Sequence, residues 1–264
     1  MCKIIAISNQ KGGSGKTTTA SSLGFGLAKF GKKVLLIDFD PQGSLSIALG
    51  IMEQDLLEYS IYNVFDLMLK GKADEIDYTK GIYKHDEGVD LMPCNIYMSD
   101  IENRLIAKEA RNTYLSRYIN EVKENYDYIL IDCSPSLNVL TINALSAADS
   151  VLIPVKPDLL NTKGLEQLIN TIMCVKKEWL YNPRLMLEGI VLTQVDTRRT
   201  NDKEFMNFIN KAYGSMIKIF DTYIPLTVKG SEVANSGMSI FKYDPKSKLA
   251  ESYEKLALEV LANE

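Results

Sequence analysis

Six short runs of apolar, mostly β-branched residues punctuate the chain, at positions 4–7, 34–37, 89–92, 128–131, 151–155 and 187–192. Apart from Asp90 and Glu188 they are continuous rather than alternating, the pattern of parallel strands buried on both faces. Between them, apolar positions return with helical spacing. The clearest set is Leu165, Leu168, Ile169, Ile172 and Trp179, which forms one stripe on a helix. Residues 18–30 read as an amphipathic helix, and residues 245–262 as a terminal one with the stripe Leu249, Tyr253, Leu256 and Val260. Strands alternating with helices predict an α/β fold, a mostly parallel twisted sheet with helices on both faces. Residues 50–89 are the least regular and are expected to form short helices over one sheet edge. No repeat, low-complexity tract or Pro/Gly-rich linker interrupts the pattern, so residues 1–264 read as a single domain.

Composition narrows the class. Of the 264 residues, 46% are hydrophobic and 24% charged, ordinary for a globular protein with one sizeable core. No apolar run is long enough to span a bilayer, and the first strand runs directly into a glycine loop rather than a leader, so a cytoplasmic protein is expected. Cys2, Cys94, Cys133 and Cys174 are scattered without the paired spacing of a zinc site or a disulfide framework. The single histidine, His85, lies in a polar stretch and is expected in a solvated loop. The net charge of −4 excludes a uniformly basic nucleic-acid binder, but the charge is uneven: residues 196–248 hold nine Lys/Arg against six Asp/Glu.

The chemistry is concentrated after the first strand, in Lys11-Gly12-Gly13-Ser14-Gly15-Lys16-Thr17-Thr18. Glycines let backbone N–H groups turn inward around phosphate oxygens, and a helix N-terminus adds its positive end to the same cavity. In such a strand–loop–helix, Lys16 reaches the β- and γ-phosphates and the Thr17 hydroxyl binds Mg²⁺. The second run ends in Asp38-Phe39-Asp40-Pro41-Gln42-Gly43, two carboxylates where a parallel strand meets the ligand-facing edge. The fourth ends in Asp132, the place of an acid that holds Mg²⁺ directly or through water. Cys133-Ser134-Pro135-Ser136-Leu137 follows as a candidate γ-phosphate switch.

A second lysine, Lys11, directly before the first glycine is not needed to cradle phosphate in cis. The loop resembles the deviant Walker A motif of the ParA/MinD family of P-loop ATPases, and residues 38–43 resemble that family's Asp-x-Asp-Pro-Gln-Gly element. Supporting likeness continues through Gly189–Asp196 in residues 189–196, Arg198-Arg199-Thr200-Asn201, Ile224-Pro225 and Tyr243-Asp244-Pro245, where the chain looks like chromosomal ParA (Soj-type) partition ATPases. The resemblance implies ATP and Mg²⁺ as ligands, and an ATP-dependent homodimer in which Lys11 reaches the partner's nucleotide. It also implies that Asp40 orients the attacking water, and that Asp38 supports the Mg²⁺ and Lys16 network. Loops near Thr193 and Pro225 would meet adenine. The dimer would bind nonspecific DNA through Arg198, Arg199 and Lys229, aided by Lys218, Lys242, Lys246 and Lys248. A ParB-like partner would stimulate hydrolysis, and the ATP state would associate with the nucleoid.

Two other classes are open to a loop of this type. A MinD-like membrane cycle needs a basic amphipathic C-terminal helix, whereas Glu251, Glu254 and Glu259 leave this one slightly acidic. An iron–sulfur reductase would use Cys94 and Cys133 as cluster ligands, but the glycines expected around them are absent. A small-molecule kinase is disfavoured by the Asp38/Asp40 pair, which argues for water as the acceptor.

Overall fold

The computed structural model describes residues 1–158, 161–178 and 181–263. Seven strands form one sheet: β1 (Lys3–Ile7), β2 (Val34–Phe39), β3 (Tyr83–Lys84), β4 (Val89–Met92), β5 (Tyr128–Cys133), β6 (Ser150–Val155) and β7 (Met186–Leu192). The order across the sheet is β3-β4-β2-β5-β1-β6-β7. All neighbours are parallel except β3, which pairs antiparallel with β4. All six apolar runs are strands. The two-residue β3 is the addition, made by a hairpin too short and polar to show an apolar run.

Alternation along each strand divides two cores. Ile4, Ala6, Leu35, Ile37, Ile129 and Ile131 face one layer of helices, among them Ile61–Leu69, Tyr114–Val122 and Val139–Ala147. Ile5, Ile7, Leu36 and Leu130 face the other, built from the helices Lys16–Lys29 and Lys248–Leu261. Burial on both faces is why these strands read as unbroken apolar runs.

The helix Lys16–Lys29 departs from the amphipathic expectation. It lies between the sheet and the terminal helix, so Thr19, Ser21, Ser22, Leu23, Gly24 and Leu27 are all buried. Small residues make this possible: a Cβ on Gly24 would stand 2.7 Å from Leu36 Cδ2, and one on Gly26 3.0 Å from Ala257 Cβ. The terminal helix starts after Ser247, whose hydroxyl accepts the Ala250 N–H, and buries Leu249, Tyr253, Leu256 and Val260 as the periodicity predicts. Leu165, Leu168 and Ile172 are buried as expected. Trp179, the last member of that stripe, lies outside the described residues.

His85 is not a free loop residue. Its ring packs edge-on to Phe25 at 5.0 Å, its Nε2 lies 3.1 Å from the Gly237 carbonyl, and its Nδ1 accepts the Glu87 N–H. Glu87 in turn accepts hydrogen bonds from Ser239 N–H and Oγ–H. The β3–β4 hairpin is thereby tied to the segment before the terminal helix. The polar sequence around His85 hid this, because the partners lie some 150 residues away.

Candidate functional site

The sheet order assembles the site. The chain runs outward from β1 to β2 and β4, returns to insert β5 between β2 and β1, then continues on the other side with β6 and β7. Ligands of open α/β sheets gather where this reversal occurs, at the C-terminal strand edge. The register places Asp132 opposite both Ile7 on β1 and Asp38 on β2. Two carboxylates more than ninety residues apart thus stand on adjacent strand ends beside the loop that leaves β1.

That loop, residues 8–15, is shaped by glycines in the left-handed region, Gly13 at φ +72° and Gly15 at φ +87°. Gly15 closes directly onto the N-terminus of the helix Lys16–Lys29, its carbonyl accepting the Thr19 N–H at 2.8 Å. A Cβ on Gly12 or Gly13 would meet nothing within 4 Å, so the space above the loop is open. Asn9 braces its start, donating to the Pro154 carbonyl and accepting the Lys11 N–H.

The predicted residues of the loop separate by exposure. Lys11, Gly12 and Gly13 are exposed, whereas Ser14 and Lys16 are buried. The Lys16 ammonium is held only at 3.4 Å from the Lys11 carbonyl. Burial pulls its pKa below the usual lysine value, against the opposing charges of Asp132, Cys133 and Asp40. A buried ammonium so weakly partnered is suited to an incoming anion. The exposed Lys11 side chain is free to reach away from its own loop.

Thr17 Oγ donates to Asp132 Oδ2 at 2.7 Å, joining two of the three proposed metal residues. Asp132 Oδ1 is buried without a hydrogen-bond partner. Burial, then the charge of Asp38, raise the Asp132 pKa well above the carboxylate range, while Thr17 and Lys16 oppose the shift. An orphaned buried carboxylate oxygen beside a threonine hydroxyl is a donor set that fits Mg²⁺, a hard cation that takes oxygen ligands.

Asp38 is engaged differently. Its Oδ2 accepts both the N–H and the Oγ–H of Ser46 at 2.7 Å, and its Oδ1 the Asp40 N–H at 3.4 Å. Burial raises its pKa to about 6 despite these bonds. Ser46 Oγ also accepts the Cys94 N–H at 3.1 Å. Asp38 therefore anchors the segment carrying Asp40 to the end of β4. Asp40 is half-buried at the head of this turn and accepts the Gln42 N–H.

Sequence reasoning missed the grip that the segment following β7 exerts on the glycine loop. Thr193 Oγ donates to the Ser14 carbonyl and Gln194 Nε2 to the Gly13 carbonyl, each at 2.7 Å. A cavity of about 360 Å³ adjoins this grip, lined by Gly15, Thr18, Gln194, Pro225, Ser231 and Tyr253. Larger open cavities of about 590 and 810 Å³ lie elsewhere, around Tyr126 and around Phe208. Of these three cavities, the 360 Å³ one touches the loop.

Arg198, Arg199 and Lys229 are each held by an acid. Arg198 grips Asp196 with two bonds of 2.9 Å, and Arg199 reaches the same carboxylate at 3.5 Å. Both side chains are largely exposed. Hydrogen bonds from Arg198 hold Asp196 at a pKa of about 2. Lys229 opens a separate helix, Lys229–Ala234, where it pairs with Glu232 at 3.3 Å and lies over the Tyr243 ring. Lys218 donates to Asn263. Cys94 and Cys133 are packed in the core, and burial raises both thiols above the ordinary range.

A strand running through a glycine loop into a helix N-terminus, with a threonine hydroxyl and an aspartate joined beneath it, defines a P-loop nucleotide-binding protein. Comparison with known proteins agrees and goes further. The family model described as "AAA domain" matches residues 2–187. The chain is 44% identical to the sporulation initiation inhibitor protein Soj of Bacillus subtilis, over the full length of both. It is 39% identical to the chromosome partitioning protein ParA of Caulobacter vibrioides, across 99% of this chain and 95% of that one. A solved structure of cobyrinic acid a,c-diamide synthase from Mycobacterium smegmatis with bound ADP and magnesium superposes with a TM-score of 0.84 at 33% identity, covering all of this chain and 95% of the other. The chain belongs to the ParA/Soj family of P-loop partition ATPases.

Proposed function

We propose that residues 1–264 act as one unit that binds ATP with Mg²⁺, pairs with a second copy while ATP is bound, and holds nonspecific DNA in that state until hydrolysis releases it. The observation that carries this reading is the convergence of Lys16, the Thr17–Asp132 pair and Asp40 on one edge of the sheet, beneath an open glycine loop with an exposed Lys11. The 360 Å³ cavity beside Gly15 is of a size for a nucleoside base.

Phosphoryl transfer to water needs positioning and charge neutralisation more than covalent chemistry. Here the loop N–H groups and Lys16 hold the phosphates. Thr17 and Asp132 hold Mg²⁺, which when bound neutralises phosphate charge. Asp40 orients the attacking water, and Asp38, through Ser46, fixes the turn that carries Asp40. Lys11, exposed and unneeded in cis, reaches the nucleotide of the partner copy. Turnover is slow until a ParB-like protein stimulates it, and the outcome is the segregation or positioning of DNA on the nucleoid. Arg198, Arg199 and Lys229 make the phosphate contacts. Among the described residues no helix is long and apolar enough to cross a membrane, and the exposed face of the terminal helix carries Glu251 and Glu254. A slightly acidic terminal helix is a poor match for anionic lipid.

The test is binding of the Asp40→Ala variant to duplex DNA of arbitrary sequence with ATP, ADP or no nucleotide, at low and moderate salt. Salt-sensitive binding with ATP alone is expected, because neutralised phosphates release counterions. Binding in no state, with ATP-dependent dimerisation intact, would refute the DNA step. Wild-type turnover in the variant would remove Asp40 from the mechanism.

A further inference from the structure

Gln194 stands out on two counts. It is one of two non-glycine residues with positive φ among the described residues, at +54°, a region that side chains with a Cβ rarely adopt. It also reaches across 181 positions of sequence to donate to the Gly13 carbonyl. The conformation is imposed from both sides. Thr193 N–H is bonded to Val155, Val195 N–H to Ile224, Ile224 N–H to Leu192 and Leu226 N–H to Val195. Such strain persists only where the surroundings fix it, and it gathers at functional sites.

The consequence follows from peptide geometry. In a trans peptide the carbonyl of one residue and the N–H of the next point in opposite directions, and the described chain contains no cis bond. Gln194 holds the Gly13 carbonyl, so the Ser14 N–H points away from β7. Thr193 holds the Ser14 carbonyl, so the Gly15 N–H does the same. A Cβ on Gly12 or Gly13 would meet nothing within 4 Å, so the loop borders open space, and the N–H groups turned away from Thr193 and Gln194 are the ones left to meet phosphate oxygens there. Thr193 is buried and also packs 3.6 Å from the position of a Gly15 Cβ, so it belongs to the fold as much as to the loop. The Gln194 bond is exposed, at the rim of the 360 Å³ cavity.

We propose that Gln194 is a positioning residue for phosphate binding: by tethering the Gly13 carbonyl it aims the Ser14 N–H into the phosphate cradle before ligand arrives. This rests on the reading of the loop as a nucleoside-triphosphate site. Donors fixed in advance need no reorganisation when charge arrives, which is where such a tether acts.

The experiment compares full-length wild type with Gln194→Met, which keeps side-chain bulk at the cavity wall but lacks the amide. Calorimetric binding is measured for Mg·ATP, Mg·tripolyphosphate and adenosine, alongside the thermal midpoint. Loss of one neutral hydrogen bond predicts about three- to tenfold weaker binding of both polyphosphates. Adenosine binding is expected to fall less than polyphosphate binding, and the thermal midpoint by no more than a few degrees. Wild-type polyphosphate affinity in the variant overturns the proposal. So does an equal loss for adenosine, which would make Gln194 a base contact, or a fall in thermal midpoint that accounts for the binding loss. If wild type itself binds neither polyphosphate, the nucleotide reading falls and this proposal with it.

Discussion

Replacing Ser46 with alanine tests how the turn bearing Asp40 is held. The hydroxyl serves two buried partners: it donates to Asp38 Oδ2 at 2.7 Å and accepts the Cys94 N–H at 3.1 Å. A hydrogen bond to a charged group contributes about 1.5–3 kcal/mol, and a buried N–H left unpaired costs about 1–3 kcal/mol. The expected loss near pH 7.5 is therefore about 2.5–6 kcal/mol, with the Ser46 N–H still serving Asp38. The two parts separate with pH. Asp38 has a folded pKa of about 6 against 3.8 unfolded, so the native state binds the extra proton between these values. Its contribution to stability accordingly rises as pH falls through 6 toward 4, by up to about 3 kcal/mol. At pH 5 the carboxyl is largely neutral, and the charge-dependent part of the Ser46 bond is gone. Urea unfolding of wild type and Ser46→Ala, without nucleotide or Mg²⁺, should show a cost at pH 5 smaller by about 1–2 kcal/mol than at pH 7.5. An equal or larger cost at pH 5 would refute the view that Ser46 stabilises an ionised Asp38.

Three further outcomes are expected. Gly189→Ala places a Cβ 2.9 Å from the Lys218 carbonyl and 2.7 Å from Phe220 at φ +150°, and should lower stability by about 2–4 kcal/mol in chemical unfolding. Asp196→Asn releases Arg198 and Arg199 from their shared carboxylate, so the ATP-bound Asp40→Ala dimer should bind DNA more tightly at low salt; an unchanged affinity would place the DNA elsewhere. Because Asp132 is held toward its protonated form, binding of Mg²⁺ should release a proton and strengthen as pH rises. Calorimetry in buffers of different ionisation enthalpy reads that proton directly.

The fold class was legible because burial on both faces leaves an unmistakable mark: residues 34–37 and 128–131 are apolar at every position. The site's elements were legible for a different reason. Each is a local string, and Lys16, Asp40 and Asp132 can be recognised without knowing how they meet. What lay beyond the sequence was long-range pairing. Nothing in residues 128–133 announces that β5 inserts between β1 and β2, yet this places Asp132 beside Asp38. The Thr193 and Gln194 grip on the loop and the tie from His85 to Gly237 join segments some 150–180 residues apart. The helix Lys16–Lys29 was misjudged because serine and threonine count as polar in a periodicity. Here they are small enough to be covered by the terminal helix.

The place of β1 in the sheet has a consequence for the order in which the molecule is made. Of the seven strands of the sheet, β1 is made before the others, and it pairs with β5 and β6, which follow it by more than 120 residues. Until they emerge, the apolar edge of residues 4–7 has no partner, and the glycine loop behind it has no frame. Its last brace, Gln194 just after β7, arrives later still. Closing such long loops is slow, because chain entropy is lost before the contacts form. The first of the seven strands to be made is thus among the last to acquire its native form, and nascent chains ending before β7 should be unable to retain nucleotide.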